Sequence, residues 1–295
     1  MKYDRLMSEA KAQNKDALDS ITQQEHTDDE VIDENEILDN MTFSYSNLSA
    51  FETCPYSWYL KYIVHEEGED NVYGQFGTCC HKVLEQFVKG ELQEDELTMA
   101  YIDEFETTVS PANEWNVNTV AGLFDAGFTY FSDCTLKKLH LENCTIVGAE
   151  KMCSFEVASH RFVGFIDLLI QDAIGDIIVI DHKSGEYPLT KSGTVKAKCQ
   201  EKFVSYKRQL YLYSKAVYEE FRKFPKTLAW NFFKTNDWLI VPFDEKEYED
   251  TLKWAENVID DIYLTVDFDA KPNFFFCKNI CDFRRICDEQ YNEVE

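Results

Sequence analysis

Asp167, Asp181 and Lys183 stand where a buried sheet should hold only apolar side chains. Asp181 and Lys183 end the run IIVIDHKSG (177–185), whose Ile177, Ile178, Val179 and Ile180 read as a strand inside a covered sheet. Strand alternation sends Asp181 and Lys183 to one face and His182 to the other. Asp167 interrupts a second apolar run, GFIDLLI (164–170), and a turn at Gly175–Asp176 would let the two strands pair and bring Asp167 close to Asp181. Two carboxylates at adjoining strand ends repel unless a cation sits between them, and oxygen ligands suit Mg²⁺ or Mn²⁺. A lysine beside such an ion can activate water and stabilise charge on a phosphate under attack. At this point a plain Asp181–Lys183 ion pair at a strand end explains the same residues.

The cysteines form a second group. Cys277, Cys281 and Cys287 cluster near the end of the chain, and Cys54 immediately precedes Pro55 more than 200 residues earlier. Four thiolates can bind Zn²⁺ or an iron–sulfur cluster, and their chemistry alone does not choose. Cys79, Cys80, Cys134, Cys144, Cys153 and Cys199 lie in apolar helix or strand patterns and read as small core residues. Cys79 and Cys80 beside His81 offer a further zinc reading.

The 295 residues suffice for one large domain or two small ones, and 44% hydrophobic with 15% aromatic content argues for a folded globular chain. No stretch approaches the roughly 20 apolar residues that span a bilayer, and the N-terminus lacks a signal peptide's apolar region, so a cytoplasmic protein is expected. The net charge is −26; residues 1–40 hold 4 Lys/Arg against 12 Asp/Glu and read as an acidic, flexible tail. Such acidity argues against non-specific nucleic-acid binding. It leaves one basic stretch, in which Lys191, Lys196, Lys198, Lys202, Lys207 and Arg208 face a single acid, Glu201.

The elements that must position these residues follow in order. FSYSNLSAFETCPYSWYLKYIV reads as two short helices, with Ser/Asn caps and Pro55 opening the second. QFGTCCHKVLEQFVKG is an amphipathic helix with Phe76, Cys80, Val83 and Phe87 as its stripe. Residues 92–140 look helical, with an interruption at SPANEW. Strands are expected in CTIVGAEKMCSFEVA, HRFVGFIDLLIQD and DIIVIDHKSG, then a helix over roughly 199–224, strands near TLAWNFFKT and WLIVPF, and a helix over roughly 244–266.

Taken together, G-x-x-D (Gly164 to Asp167), D-x-K (Asp181, Lys183) and Q-x-x-x-Y (Gln209 to Tyr213) resemble the PD-(D/E)XK nuclease superfamily, and most of all its RecB-like branch, similar to CRISPR-associated RecB-like exonucleases with an iron–sulfur cluster. The opening FSYSNLSAFETCPYSWYLKYI, the G-x-x-x-H of Gly77 and His81, and CKNICDFRRIC extend the resemblance over 42–287 in the family's order. The resemblance implies an α/β, restriction-endonuclease-like core, a mixed central sheet flanked by helices. It further implies a helical insertion at about 82–140 and a C-terminal cysteine-rich segment, within one nuclease domain over 41–295. Asp167, Asp181 and His81 would be metal ligands, with the His182 carbonyl near the ion and Glu150 as a glutamate preceding the G-x-x-D strand. Lys183 would orient or deprotonate the attacking water, positioned by Gln209 and Tyr213. Cys54, Cys277, Cys281 and Cys287 would hold a structural [4Fe–4S] cluster stapling the two ends, with Zn²⁺ as the alternative; the first gap here is C-x₃-C where the family more often has C-x₂-C.

The function so implied is a Mg²⁺- or Mn²⁺-dependent DNA exonuclease in recombination, repair or phage DNA processing, acting on DNA that is single-stranded or has free ends. The basic residues 191–208 would track its backbone. A CRISPR-adaptation trimming nuclease is the neighbouring alternative, with recombination or adaptation proteins as partners. A non-catalytic DNA- or partner-binding module is the alternative of another class.

Overall fold

Side-chain caps open four of the described helices. In this computed structural model, which describes residues 34–109, 117–133 and 143–287, Ser44 Oγ accepts from Asn47 N at 3.0 Å to start α2 (Tyr45–Thr53). Pro55 occupies the first turn of α3 (Pro55–Tyr62), where a missing N–H costs nothing. Asn71 caps α4 (Val72–Val88). Before these lies α1 (Glu34–Asn40); the rest of the expected acidic tail, residues 1–33, is outside the described residues, as are Cys134, the SPANEW interruption and residues 134–142.

Helices α4, α5 (Leu97–Thr108) and α6 (Val117–Ser132) share one core. Val72, Phe76, Cys79, Cys80, Val83 and Leu84 recur at helical spacing along α4 and pack with Tyr101, Phe105, Tyr130, Phe131 and Phe233. Cys79 and Cys80 are thus core residues. Phe87, expected on the buried stripe, packs at its margin.

Strands β1 (Thr145–Val157), β2 (His160–Gln171), β3 (Ile177–Lys183), β4 (Thr227–Phe232) and β5 (Asp237–Pro242) form one sheet in sequence order. The β1–β2, β2–β3 and β4–β5 pairs are antiparallel, and β3–β4 is parallel. A parallel pair needs a crossover; here α7 (Gln200–Phe221) supplies it and packs on β1 and β3. Helix α8 (Glu245–Leu264), capped by Asp244, lies against α7, and α9 (Phe274–Asn279), capped by Asn273, carries Cys277. The result is the mixed α/β sheet flanked by helices that the sequence led us to expect. No described helix is long and apolar enough to cross a membrane.

Val88, Leu168, Ile170, Ile180 and Ala229 form a cluster on the sheet. Because side chains alternate, that packing leaves Asp181 and Lys183 for the opposite face and puts His182 on the α4–α6 side.

Candidate active site

The β2–β3 register Leu168↔Ile180 brings Asp167 to the end of β3, where its Oδ2 accepts the His182 backbone N–H at 2.6 Å. From α4, His81 reaches the same point. Its Nδ1 lies 3.2 Å from Glu150 Oε1 and 3.7 Å from Asp167 Oδ2, and its Nε2 lies 3.0 Å from the His182 carbonyl oxygen. His81, Glu150 and Asp167 place ligand atoms within 4.8 Å of one another.

Glu150 earns this place through its backbone. It falls between the Ala149↔Leu168 and Lys151↔Ile166 pairs of β1 and β2, opposite Asp167, and adopts φ of 46°. A left-handed residue inside a strand costs roughly 1–3 kcal/mol and persists only where the surroundings impose it. Sequence patterning offers no signal for such a kink.

On the other side of β3, Lys183 Nζ lies 2.7 Å from Asp181 Oδ2 and donates to Gln209 Oε1 at 2.6 Å. Gln209 Nε2 in turn donates to the Tyr213 hydroxyl at 3.3 Å. One turn of α7 separates the two, so both face the strand. Gly164 makes this possible: a Cβ there would come within 2.5 Å of the Tyr213 ring. The Q-x-x-x-Y and G-x-x-D motifs are therefore two halves of one contact.

The electrostatics reflect three carboxylates in a confined space. Burial pushes Asp181 up to about 6, with Lys183 opposing and the Asp167 charge adding to the rise. Burial also raises Asp167, against the pull of His81 and with the push of Glu150. Burial works to lower His81, yet Asp167, Glu150 and Asp181 together raise it to about 9. Asp181 Oδ2, although close to the ammonium, accepts no hydrogen bond. An imidazole crowded by acids fits a divalent cation, for which His81, Glu150 and Asp167 supply one nitrogen and several oxygens; Asp181, expected as a further ligand, is not in that group and pairs instead with Lys183.

His182 has a part that its sequence position did not disclose. Burial, with the charges of His81 and Lys183, holds its imidazole well below the ordinary range. Its Nδ1 accepts from Asn231 Nδ2 at 3.1 Å, and Asn231 also donates to the Tyr130 hydroxyl at 2.7 Å. This buried chain ties β3, β4 and α6 together just behind the carbonyl that faces His81.

Cys54, Cys277, Cys281 and Cys287 line one cavity with Leu60, Phe276 and Phe283. Cys54, Cys277 and Cys281 form no disulfide. Burial raises the Cys281 thiol to about 11; an N–H of Phe283 opposes this, and the three other cysteines add to it. Backbone N–H groups of Lys271 and Asn273 point at Cys54 Sγ (3.5 Å) and Cys277 Sγ (3.4 Å), and Lys271 and Arg284 line the wall. Four sulfurs, amide donors and cations suit an anionic thiolate-bound group.

The basic stretch divides. Lys196 and Lys198 approach Glu186 at 3.7 and 2.7 Å, Lys207 pairs with Glu247 at 2.6 Å, and Arg208 pairs with Glu52 at 3.1 Å over the Trp254 ring. Glu52 and Glu247 come from distant parts of the chain and Glu186 from just before the stretch, so its isolation from acids in sequence does not survive folding. Lys191 lies exposed in a loop, and Lys202 alone of the six neighbours Lys183.

A family model described as the PD-(D/E)XK nuclease superfamily matches residues 42–288. A solved structure of a candidate exonuclease from Eubacterium rectale aligns over 92% of this chain and 97% of its own, at 12% identity and a TM-score of 0.50. At that identity it shows a shared fold alone. The structure of the protein SSO0001 aligns over 88% and 95% at 14% identity with a TM-score of 0.38, too low to carry weight. No curated protein sequence matches the chain. With the family match spanning every motif of the carboxylate–lysine site, the chain belongs to the PD-(D/E)XK nuclease superfamily.

Proposed function

We propose that the protein is a divalent-metal-dependent deoxyribonuclease of the RecB-like branch, acting as an exonuclease on DNA with free ends, and that residues 41–295 serve as one nuclease domain with an insertion at about 82–140. The observation that carries this reading is the convergence of His81, Glu150 and Asp167 within 4.8 Å, beside the Asp181–Lys183–Gln209 chain. His81, Glu150 and Asp167 would hold Mg²⁺ or Mn²⁺. When bound, the ion supplies Lewis-acid stabilisation of phosphate charge and a lowered pKa for a neighbouring water.

The chain's own residues do the rest. Asp181 and Gln209 hold the Lys183 ammonium at a fixed point, where it can donate to a water or to the scissile phosphate. Tyr213 holds Gln209 through its hydroxyl. Asp167 fixes the end of β3 by taking the His182 N–H, so the site moves as a unit with the sheet.

Cys54, Cys277, Cys281 and Cys287 would carry a structural [4Fe–4S] cluster, with Zn²⁺ as the alternative occupant. Support comes from their shared cavity and the N–H groups aimed at two of the sulfurs.

The test is digestion of end-labelled single-stranded and duplex DNA with Mg²⁺ or Mn²⁺ by wild type and Lys183→Ala. Metal-dependent release of labelled ends by wild type alone is expected; equal degradation by both overturns the catalytic assignment. Anaerobic purification tests the cysteines: brown protein with iron and sulfide is expected, and a colourless, zinc-loaded protein excludes the cluster.

A further inference from the structure

Lys202 is the third residue of α7, and its ammonium lies 5.8 Å from the centre of the Tyr206 ring one turn further on. Lys183 Nζ lies 4.9 Å from the centre of that same ring. The space between helix and strand end exists because residue 185 is glycine. A Cβ there would approach the Tyr206 hydroxyl to 2.5 Å and Lys202 Nζ to 3.2 Å. The sequence DHKSG thus ends in a gap that the tips of Tyr206 and Lys202 fill.

Lys202 makes no ion pair and donates no hydrogen bond among the described residues. Its charged neighbours are Lys183, Lys234 and Glu186. Lys234, exposed in the turn between β4 and β5, is a second cation without an ion pair among the described residues. Of the nearby acids, Glu186 is already engaged by Lys196 and Lys198, and Asp181 by Lys183. Elsewhere in this acidic chain, most lysines and arginines with resolved contacts meet a carboxylate; Lys202 and Lys234 form no ion pair among the described residues. Lys202 is exposed at the surface, so an incoming anion can reach its ammonium without displacing another side chain.

We propose that Lys202 and Lys234 form a phosphate-holding subsite beside the Asp181–Lys183 pair, which grips the backbone of a single DNA strand next to the scissile bond. This rests on the nuclease reading above and deepens it. Lys234 lies outside the basic stretch; the β3–β4 register Lys183↔Phe232 and the Phe233 N–H, which donates to the Lys183 carbonyl at 3.0 Å, bring its turn to the end of β3. Backbone phosphates are the ligand because the cations are lysines, which bind phosphate as point charges, and because phosphate contacts fix a strand's position without reading its bases. The Tyr206 ring, shared by the Lys183 and Lys202 ammoniums, limits the freedom of both.

The experiment is equilibrium binding of a fluorescently labelled single-stranded oligonucleotide across a salt series, without added divalent ions, by wild type, Lys202→Gln, Lys234→Gln, the double variant, Glu186→Gln and the surface control Lys246→Ala. Each loss of an ammonium in the subsite should weaken binding about tenfold and flatten the log–log salt dependence by about 0.7. Glu186→Gln should tighten binding, and Lys246→Ala should match wild type. Melting curves confirm that the variants fold. Binding and salt slope unchanged in the double variant overturn the subsite, and if that variant still cleaves DNA like wild type, the nuclease reading stands without it. Lysine-dependent binding with no metal-dependent cleavage by wild type overturns the nuclease reading and leaves the subsite.

Discussion

The carboxylate–histidine site draws its ligands from the middle of the sheet and one packed helix, whereas the four cysteines come from positions 54 and 277–287 and meet around an apolar cavity. The first site is held by register: β1, β2 and β3 fix Glu150, Asp167 and Asp181, and each carboxylate raises the demand for positive charge in the others' vicinity. The second is held by loops and short helices, and burial keeps Cys281 a thiol in the absence of a partner. A site on a sheet is pre-shaped before its ion arrives. A site made of chain ends depends on its occupant to hold those ends together.

This contrast makes changes in the two sites separable. The largest effect is expected from Lys183→Ala, which should lower DNA cleavage about 10²–10⁴-fold while melting temperature and iron content stay at wild-type values; a parallel loss of fold would break the comparison. Cys281→Ser should do the reverse, abolishing the iron signal and lowering the melting temperature by about 5 °C or more, with residual cleavage per folded molecule retained. Differential scanning and iron assay read both.

A smaller effect is expected at the hydrogen-bond chain behind the first site. Asn231→Leu removes the amide that donates to the buried His182 Nδ1 and to the Tyr130 hydroxyl, at a cost of about 1–3 kcal/mol, measurable by chemical denaturation. A stability change within experimental error would show that this chain does not brace β3. The smallest is Lys207→Ala, which removes a partly exposed ion pair with Glu247 and should change stability by less than about 1 kcal/mol. A larger change would mean that the α7–α8 contact is electrostatic in origin.

Much of the site was legible because its residues break the apolar pattern of two strands. Asp167, Asp181 and Lys183 announce themselves against Ile and Leu neighbours, and Gln209 and Tyr213 share a helix face by spacing alone. The helix pair at 45–62 was legible from Ser44 and Pro55, whose capping chemistry is local. Glu150 was legible only as a motif position, because its left-handed backbone arises from pairing with β2. Asn231 and Tyr130 gave no signal, since single polar residues in apolar runs look alike until their partners are known. The basic stretch misled for the same reason: Glu52, Glu186 and Glu247 neutralise much of it from elsewhere in the chain.

The sequence by itself determined which polar residues interrupt the apolar strands and which elements hold them, because alternation, helical period and capping act over a few residues. Only the tertiary structure decided which charges lack an ion pair among the described residues, that Lys202 shares the Tyr206 ring with Lys183, and that Cys54 lines one cavity with three cysteines more than 200 positions away. Charge pairing and ligand convergence depend on distances through space, and those are set when the sheet closes and α7 crosses over it.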